Sequence, residues 1–184
     1  MAARPPAPVL GAAAPHFMLP DTDGQIYSLD DCRGPNGTLV MFICNHCPYV
    51  IAIADKLAGE ADALRDLGVG VVAICSNDGE AYPEDSFERM GAFARAHRFP
   101  FPYLHDASQK VAKAYGAVCT PDFFGYDKAL RLRYRGRLDD AGREARPASR
   151  RELHEAMRQV AETGQGPAEQ IPSIGCSIKW RQDA

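Results

Sequence analysis

The chain predicts an α/β protein, a three-layer sandwich around a mixed β-sheet. Two short apolar runs, residues 38–43 and 69–75, are typical of strands buried on both faces. The segment between them places apolar residues on one face of a helix, which predicts a parallel strand–helix–strand unit. The residues of that face are Ile51, Ala54, Ala58, Ala61 and Leu64. A later pair of strands and a last helix complete the order that such a sandwich requires.

The remaining elements follow from turn and cap signals. An Asp-Gly step at Asp23 and Gly24 predicts a hairpin before the first long strand. Asp85 with Glu88 three residues later predicts the start of a second helix, which runs to about residue 97. Ser108 predicts a short helix that ends at Gly116.

The second half of the chain predicts an antiparallel edge and a final helix. Residues 123–126 and 132–136 are typical of two strands joined by a turn. Ser149 and Glu152 form a capping box that predicts the last helix. Its inner face consists of Leu153, Ala156, Met157 and Val160.

Length and composition predict one domain over residues 16–184, with a tail at 165–184 and a flexible Pro- and Ala-rich arm at 1–15. A net charge of −3 disfavours nucleic acid as a partner. The first residues lack the apolar stretch of a signal peptide or a membrane anchor, so we expect no membrane contact and a cytoplasmic location. Nothing in the sequence fixes the oligomeric state.

The most informative motif is Cys44 and Cys47, two residues apart, where a buried strand passes into a helix. Unpaired N–H groups at a helix start favour a thiolate over a thiol. On that basis we expect Cys44 to be the ionised nucleophile and Cys47 to attack the mixed disulfide that forms on it. Pro48 fits the first helical turn, where its missing N–H has no cost.

Four separated motifs carry a family resemblance: CNHCP at 44–48, CTPDFF at 119–124, RGRLDD at 135–140 and GCSIKW at 175–180. Together they resemble a bacterial group of thioredoxin-family proteins within the redoxin, or AhpC/TSA (peroxiredoxin-like), branch of the thioredoxin superfamily. The resemblance implies a thioredoxin-like three-layer fold with an N-terminal β-hairpin extension and a C-terminal tail. Ile43 and Asn45 stand where thioredoxins commonly have Trp and Gly, which disfavours broad thioredoxin-like reduction.

The resemblance also implies a set of site residues. Cys44, Cys47 and His46 would be catalytic, with His46 donating to the thiolate as in disulfide-oxidising relatives. Thr120 and Pro121 would form a cis-proline loop whose backbone pairs with a substrate strand, and Asn45 joins them as a substrate-contacting residue.

Two further cysteines are candidate redox thiols. Cys119 precedes the predicted cis-proline loop, and Cys176 lies in the tail. The alternatives are a buried inert thiol at Cys119 and an idle thiol in a docked tail at Cys176.

We therefore expect a thiol–disulfide oxidoreductase that acts on protein or small-molecule disulfides and thiols. Its redox group would be the Cys44–Cys47 disulfide, with no other cofactor and no metal. A thiol-dependent peroxidase is the first alternative, with peroxide as substrate and a Cys44 sulfenate closed by Cys47. The peroxiredoxin threonine three residues before the cysteine is absent, because Met41 and Cys44 stand there. A copper or zinc thiolate module is the second alternative, with Cys119 and Cys176 as further ligands.

Overall fold

The computed structural model describes residues 2–142, 144 and 150–182, and its centre is a five-stranded mixed sheet. In spatial order the strands are β6 (Tyr103–His105), β5 (Val69–Cys75), β4 (Gly37–Phe42), β8 (Asp122–Asp127) and β9 (Leu132–Tyr134). The first three are parallel, and β8 and β9 run antiparallel to their neighbours. Every residue of β4 is buried, so the predicted two-faced strand is confirmed.

Helices cover both faces of the sheet, which confirms the three-layer sandwich. The helices are α1 (Pro48–Ile51), α2 (Ala54–Asp66), α3 (Phe87–Ala96), α4 (Lys110–Tyr115) and α5 (Glu152–Thr163). One core cluster joins Leu57, Met90 and Leu153 to the sheet. The other joins Tyr115 and the N-terminal hairpin to the opposite face. That hairpin consists of β2 (Met18–Pro20) and β3 (Ile26–Ser28), with Gly24 at φ 86° in the turn.

The predicted flexible arm packs on the body instead. Its first strand, β1 (Ala2–Ala3), pairs with β10 (Gly175–Ser177), and β10 also pairs with β7 (Cys119–Thr120). Further along the arm, the Gly11 N–H donates to the Leu132 carbonyl at 2.8 Å. No local sequence pattern predicts these backbone hydrogen bonds, because their partners lie far along the chain.

Two local predictions differ from the structure, and a third lies outside the described residues. The helix after Cys47 breaks at residues 52–53, and Ile51 is exposed, whereas Leu57 is buried in the face between Ala54 and Ala61. Ser86 rather than Asp85 caps α3, and Asp85 ends a 3-10 turn at Pro83–Asp85. The predicted cap at Ser149 lies outside the described residues, while the four inner-face residues of α5 are all buried as predicted.

Candidate active site

The two cysteines of the motif lie where β4 ends and α1 begins. Cys44 follows the end of β4, and Cys47 is the N-cap residue of α1, directly before Pro48. Both residues are fully buried. Their sulfurs are within hydrogen-bond reach of each other, and all six cysteines are free thiols.

Thr120 contacts both sulfurs. The Thr120–Pro121 bond is cis, as the resemblance implies. The hydroxyl of Thr120 lies 3.2 Å from Cys44 Sγ, and its carbonyl oxygen lies 3.1 Å from Cys47 Sγ. The structure thus brings the predicted pair and the predicted loop together.

The hydrogen bonds around Cys47 Sγ favour a thiolate there, whereas the thiolate on Cys44 that the sequence predicts stays a prediction. A hydrogen bond from the Cys44 thiol, together with N–H groups of Cys176 and Val50, lowers the pKa of Cys47 to about 4. The same shared proton, burial and the negative charge of Asp85 raise the pKa of Cys44 far above its ordinary value. The Thr120 carbonyl acts in the opposite direction, because it favours a protonated Cys47 thiol, but the donors around that sulfur outnumber it. The hydrogen bond from the Cys44 thiol contributes most to the lowered pKa of Cys47, and the Val50 N–H at the helix start adds a smaller contribution.

Asp85 is a buried carboxylate that holds the loop between the two cysteines. One oxygen accepts the backbone N–H groups of Asn45 at 2.7 Å and His46 at 3.3 Å. The other accepts Nδ2 of Asn77 at 2.7 Å and lies 2.6 Å from Nδ1 of His46. Sequence reasoning assigned Asp85 to a helix cap and missed this role, since the contact spans about forty residues of chain.

His46 is oriented by Asp85 rather than bonded to a sulfur. Its ring is partly exposed and stacks on Tyr82 with centroids 5.7 Å apart and planes 3° apart. The predicted donation from His46 to the thiolate is therefore replaced by a carboxylate–imidazole pair beside Cys44. A ring nitrogen of His46, Sγ of Cys44 and an oxygen of Asp85 all lie within 4.8 Å of one another.

That three-atom cluster has ligand types that a metal ion accepts, although the Asp85 oxygens already receive the four contacts described above. It differs from the ligand set suggested by sequence, because Cys119 and Cys176 are not among its members.

The Asn45 side chain bonds to two groups outside the cis-proline loop. Its side-chain oxygen accepts the Tyr103 hydroxyl at 3.0 Å, and its Nδ2 donates to the Glu84 carbonyl at 2.9 Å. These bonds hold the Asn45 side chain in place, and its role as a substrate contact beside Thr120 and Pro121 stays a prediction.

The two additional cysteines have different surroundings. Cys119 is fully buried, its thiol donates to the Pro121 carbonyl at 3.7 Å, and burial raises its pKa. Cys176 is half-buried in β10, and its thiol and N–H both reach Cys47 Sγ. Burial and the neighbouring Cys47 raise the pKa of Cys176 to about 11.

The described helices are too short or too polar to cross a membrane.

Comparison with protein families matches residues 10–135, well over half of the chain, to the AhpC/TSA family. The chain belongs to the AhpC/TSA family. Among curated proteins it is 28% identical over 115 residues to chloroplastic peroxiredoxin Q of Triticum aestivum, covering 62% of this chain and 48% of that protein. It is also 28% identical over 126 residues to peroxiredoxin Bcp of Escherichia coli, covering 67% of this chain and 76% of that protein. The chain spans about half the length of the first of these relatives.

Solved structures extend the likeness to the whole chain. An uncharacterized conserved protein from Geobacillus kaustophilus is 44% identical, with a TM-score of 0.94, 100% of this chain and 98% of that chain covered. A hypothetical protein from Sinorhizobium meliloti is also 44% identical, with a TM-score of 0.92 and coverages of 98% and 99%. A thioredoxin domain from Bacteroides vulgatus, 18% identical with a TM-score of 0.59 over 70% of this chain and 89% of that one, shares the fold. The thioredoxin-like fold is therefore confirmed.

Proposed function

We propose that this protein is a thiol–disulfide oxidoreductase whose redox group is the Cys44–Cys47 pair. The observation that carries the proposal is the buried contact between the two sulfurs, with Cys47 at a helix start and its pKa lowered by the hydrogen bond from the Cys44 thiol. Membership of the AhpC/TSA family supports thiol chemistry at this site.

The reaction proceeds in two exchange steps. The Cys47 thiolate attacks one sulfur of a substrate disulfide, a bond forms between them, and the other substrate sulfur leaves as a thiolate. Cys44 then loses its proton and attacks Cys47 Sγ, which forms the Cys44–Cys47 disulfide and releases the second substrate thiolate. Two electrons pass from the protein pair to the substrate, and the steps run in reverse when the substrate is a dithiol.

His46 serves the second step. Cys44 reacts only after deprotonation, and the imidazole nitrogen lies within 4.8 Å of its sulfur. The Asp85 carboxylate, 2.6 Å from Nδ1, orients the ring and stabilises the imidazolium that forms when His46 accepts the proton.

The stabilised Cys47 thiolate favours electron flow from a substrate dithiol to the protein disulfide. A stabilised thiolate favours the dithiol form, so the disulfide becomes a stronger oxidant. We expect a reduction potential above the roughly −270 mV of thioredoxin and towards the roughly −120 mV of a strongly oxidising relative.

A redox titration tests the proposal. The protein is equilibrated in glutathione buffers of graded ratio, quenched with acid, alkylated and mapped by mass spectrometry. We expect one reversible two-electron transition that interconverts the free Cys44 and Cys47 thiols with their disulfide. Cys32→Ser is the matched control, because Cys32 is a buried thiol in the other core cluster, and it should titrate as wild type does. Absence of a Cys44–Cys47 disulfide at every ratio would rule the proposal out.

A thiol-dependent peroxidase is the second candidate function. The named peroxiredoxins among the relatives and the lowered pKa of Cys47 favour it. Here Cys47 would attack peroxide, a first water would leave, and the Cys44 thiol would condense with the Cys47 sulfenic acid to a disulfide with loss of a second water. Consumption of hydrogen peroxide with dithiothreitol as reductant, lost in Cys47→Ser, would support it. A wild-type rate no greater than that of Cys47→Ser would exclude it.

We also propose that the protein works in the cytoplasm on disulfides or thiols. Cys32 and Cys75 lie in the two separate core clusters, so they are not placed to form a structural disulfide with each other, and structural disulfides are rare in that compartment. Acid trapping of intact cells followed by alkylation should recover Cys32 and Cys75 reduced, whereas their recovery in an oxidised state would contradict this location.

A further inference from the structure

The position next to the cis-proline loop is filled by the protein's own tail. Strand β10 pairs antiparallel with β7, so that Cys176 is opposite Thr120 and Ser177 is opposite Cys119. An extended substrate chain binds such an edge by adding a strand to it. The backbone groups that an incoming chain would use therefore already pair with the tail.

Gly175 makes this close approach possible. A Cβ at residue 175 would overlap the carbonyl oxygen of Thr120, and it would also lie 2.9 Å from the nitrogen of Pro121. Any side chain at this position would push β10 away from the loop.

The tail is anchored on both sides of β10. Before the strand, the buried Ser173 hydroxyl donates to the Gly136 carbonyl at 3.0 Å. After it, the Lys179 N–H donates to Oδ1 of Asn77 at 2.9 Å, and Ile178 is 3% exposed in the core. Since the same Asn77 amide donates to Asp85, the tail and the loop that carries His46 share one hydrogen-bond network.

The docked tail brings a third thiol to the pair. The Cys47 sulfur is reached by the Cys44 thiol on one side and by the Cys176 thiol and N–H on the other. Cys44 and Cys47 are fully buried, whereas Cys176 is partly exposed. Cys47 thus lies between a buried partner and a partner that solvent reaches.

We propose that Cys176 is a third redox thiol, held by the tail as an internal substrate of Cys47, and that the docked tail excludes extended protein chains from the cis-proline loop. The proposal rests on the Cys44–Cys47 couple proposed above. In the oxidised protein the Cys176 thiol loses its proton to solvent and its thiolate attacks Cys47 Sγ. The Cys47–Cys176 bond forms, the Cys44–Cys47 bond breaks, and Cys44 leaves as a thiolate that takes up a proton. The number of electrons on the protein is unchanged, so no outside oxidant is needed.

This exchange assigns a substrate class to the site. A small disulfide or thiol can react at the partly exposed Cys176 and pass its oxidation state inward through Cys47. A protein strand would have to displace β10, whose effective concentration as a tethered segment is on the order of millimolar.

The first test maps disulfides in Cys44→Ser. One equivalent of diamide accepts two electrons and two protons from a thiol pair, and peptide mapping without reduction identifies the bond formed. We expect a Cys47–Cys176 link in Cys44→Ser, and the same link in Cys44→Ser/Cys32→Ser, which removes a distant thiol. A link from Cys176 to Cys119, or no link to Cys176, would overturn the proposal. The glutathione titration of wild type reports separately on the Cys44–Cys47 couple.

The second test separates the thiol from the docked strand. Gly175→Val should release β10, so reduction of a cyclic peptide disulfide at about 0.1 mM should become roughly tenfold faster than in wild type, since the tethered competitor is removed. Cys176→Ser removes the thiol but keeps the strand docked, so it should not show the rate increase expected for Gly175→Val. Equal rates for Gly175→Val and wild type, with circular dichroism showing a folded variant, would refute exclusion by the tail. The mapping in Cys44→Ser does not depend on how Gly175→Val folds.

Discussion

The pKa of Cys47 should rise when its thiol donor is removed. The largest cause of its lowered pKa is the hydrogen bond from the Cys44 thiol, while the N–H groups of Cys176 and Val50 remain in Cys44→Ala. A hydrogen bond to a charged group contributes about 1.5–3 kcal/mol, and one pKa unit corresponds to about 1.36 kcal/mol. Cys44→Ala should therefore raise the pKa of Cys47 by roughly 1 to 2 units. Cys44→Ser keeps a hydroxyl donor and should give a smaller rise.

Thiolate absorbance in the ultraviolet measures this shift without requiring access to a buried sulfur. Reduced wild type, Cys44→Ala and Cys44→Ser are titrated, and the curve of Cys47→Ala is subtracted from each. Wild type should contain a thiolate that forms near the pKa of about 4 and is absent from Cys47→Ala. If the low-pH thiolate disappears in Cys44→Ala and persists in Cys47→Ala, the charge resides on Cys44 and the assignment is refuted.

Three further outcomes are expected. Asp85→Ala leaves the N–H groups of Asn45 and His46 without their acceptor, so it should lower the free energy of unfolding by about 2–4 kcal/mol in urea; a loss below about 0.5 kcal/mol would contradict the role assigned to this carboxylate. Reduced wild type should gain stability over Cys47→Ala as pH rises from about 5 to 8, because folding lowers the pKa of Cys47 from 9.0 to about 4, and should lose that gain as pH falls through the folded pKa; a gain with the opposite slope would contradict the thiolate assignment. Met157 is fully buried in α5, and Met157→Ala should lower the free energy of unfolding by about 2–5 kcal/mol in the same urea assay without changing the pKa of Cys47. A changed pKa would show that packing around Met157 affects the site.

Local patterns predict the sheet and helices because their cause is local. The continuous apolar runs of β4 and β5 specify strands buried on both faces, and both form the parallel pair expected. The inner face of α5 follows from its spacing, and Gly116 and Gly164 end their helices with positive φ as C-terminal caps do.

The site was only partly predictable, because its decisive contacts are distant in sequence. Asp85 satisfies a local cap pattern, and only the folded chain shows that Ser86 caps α3 while Asp85 turns towards Asn45 and His46. The lowered pKa of Cys47 depends mainly on hydrogen bonds from Cys44 and from Cys176 in the distant tail, which no local pattern indicates. Strand β10, which pairs with β7, has three residues and no strand periodicity that a sequence pattern could detect.

The site of a trapped mixed disulfide tests the central claim most directly. Cys44→Ser/Cys176→Ser and Cys47→Ser/Cys176→Ser are each reacted with oxidised glutathione, and the adduct is located by mass spectrometry. The first variant should accumulate glutathione on Cys47, because its thiolate attacks and neither partner can complete the exchange. Accumulation on Cys44 in the second variant, with an unmodified Cys47 in the first, would contradict the assignment of Cys47 as the attacking sulfur.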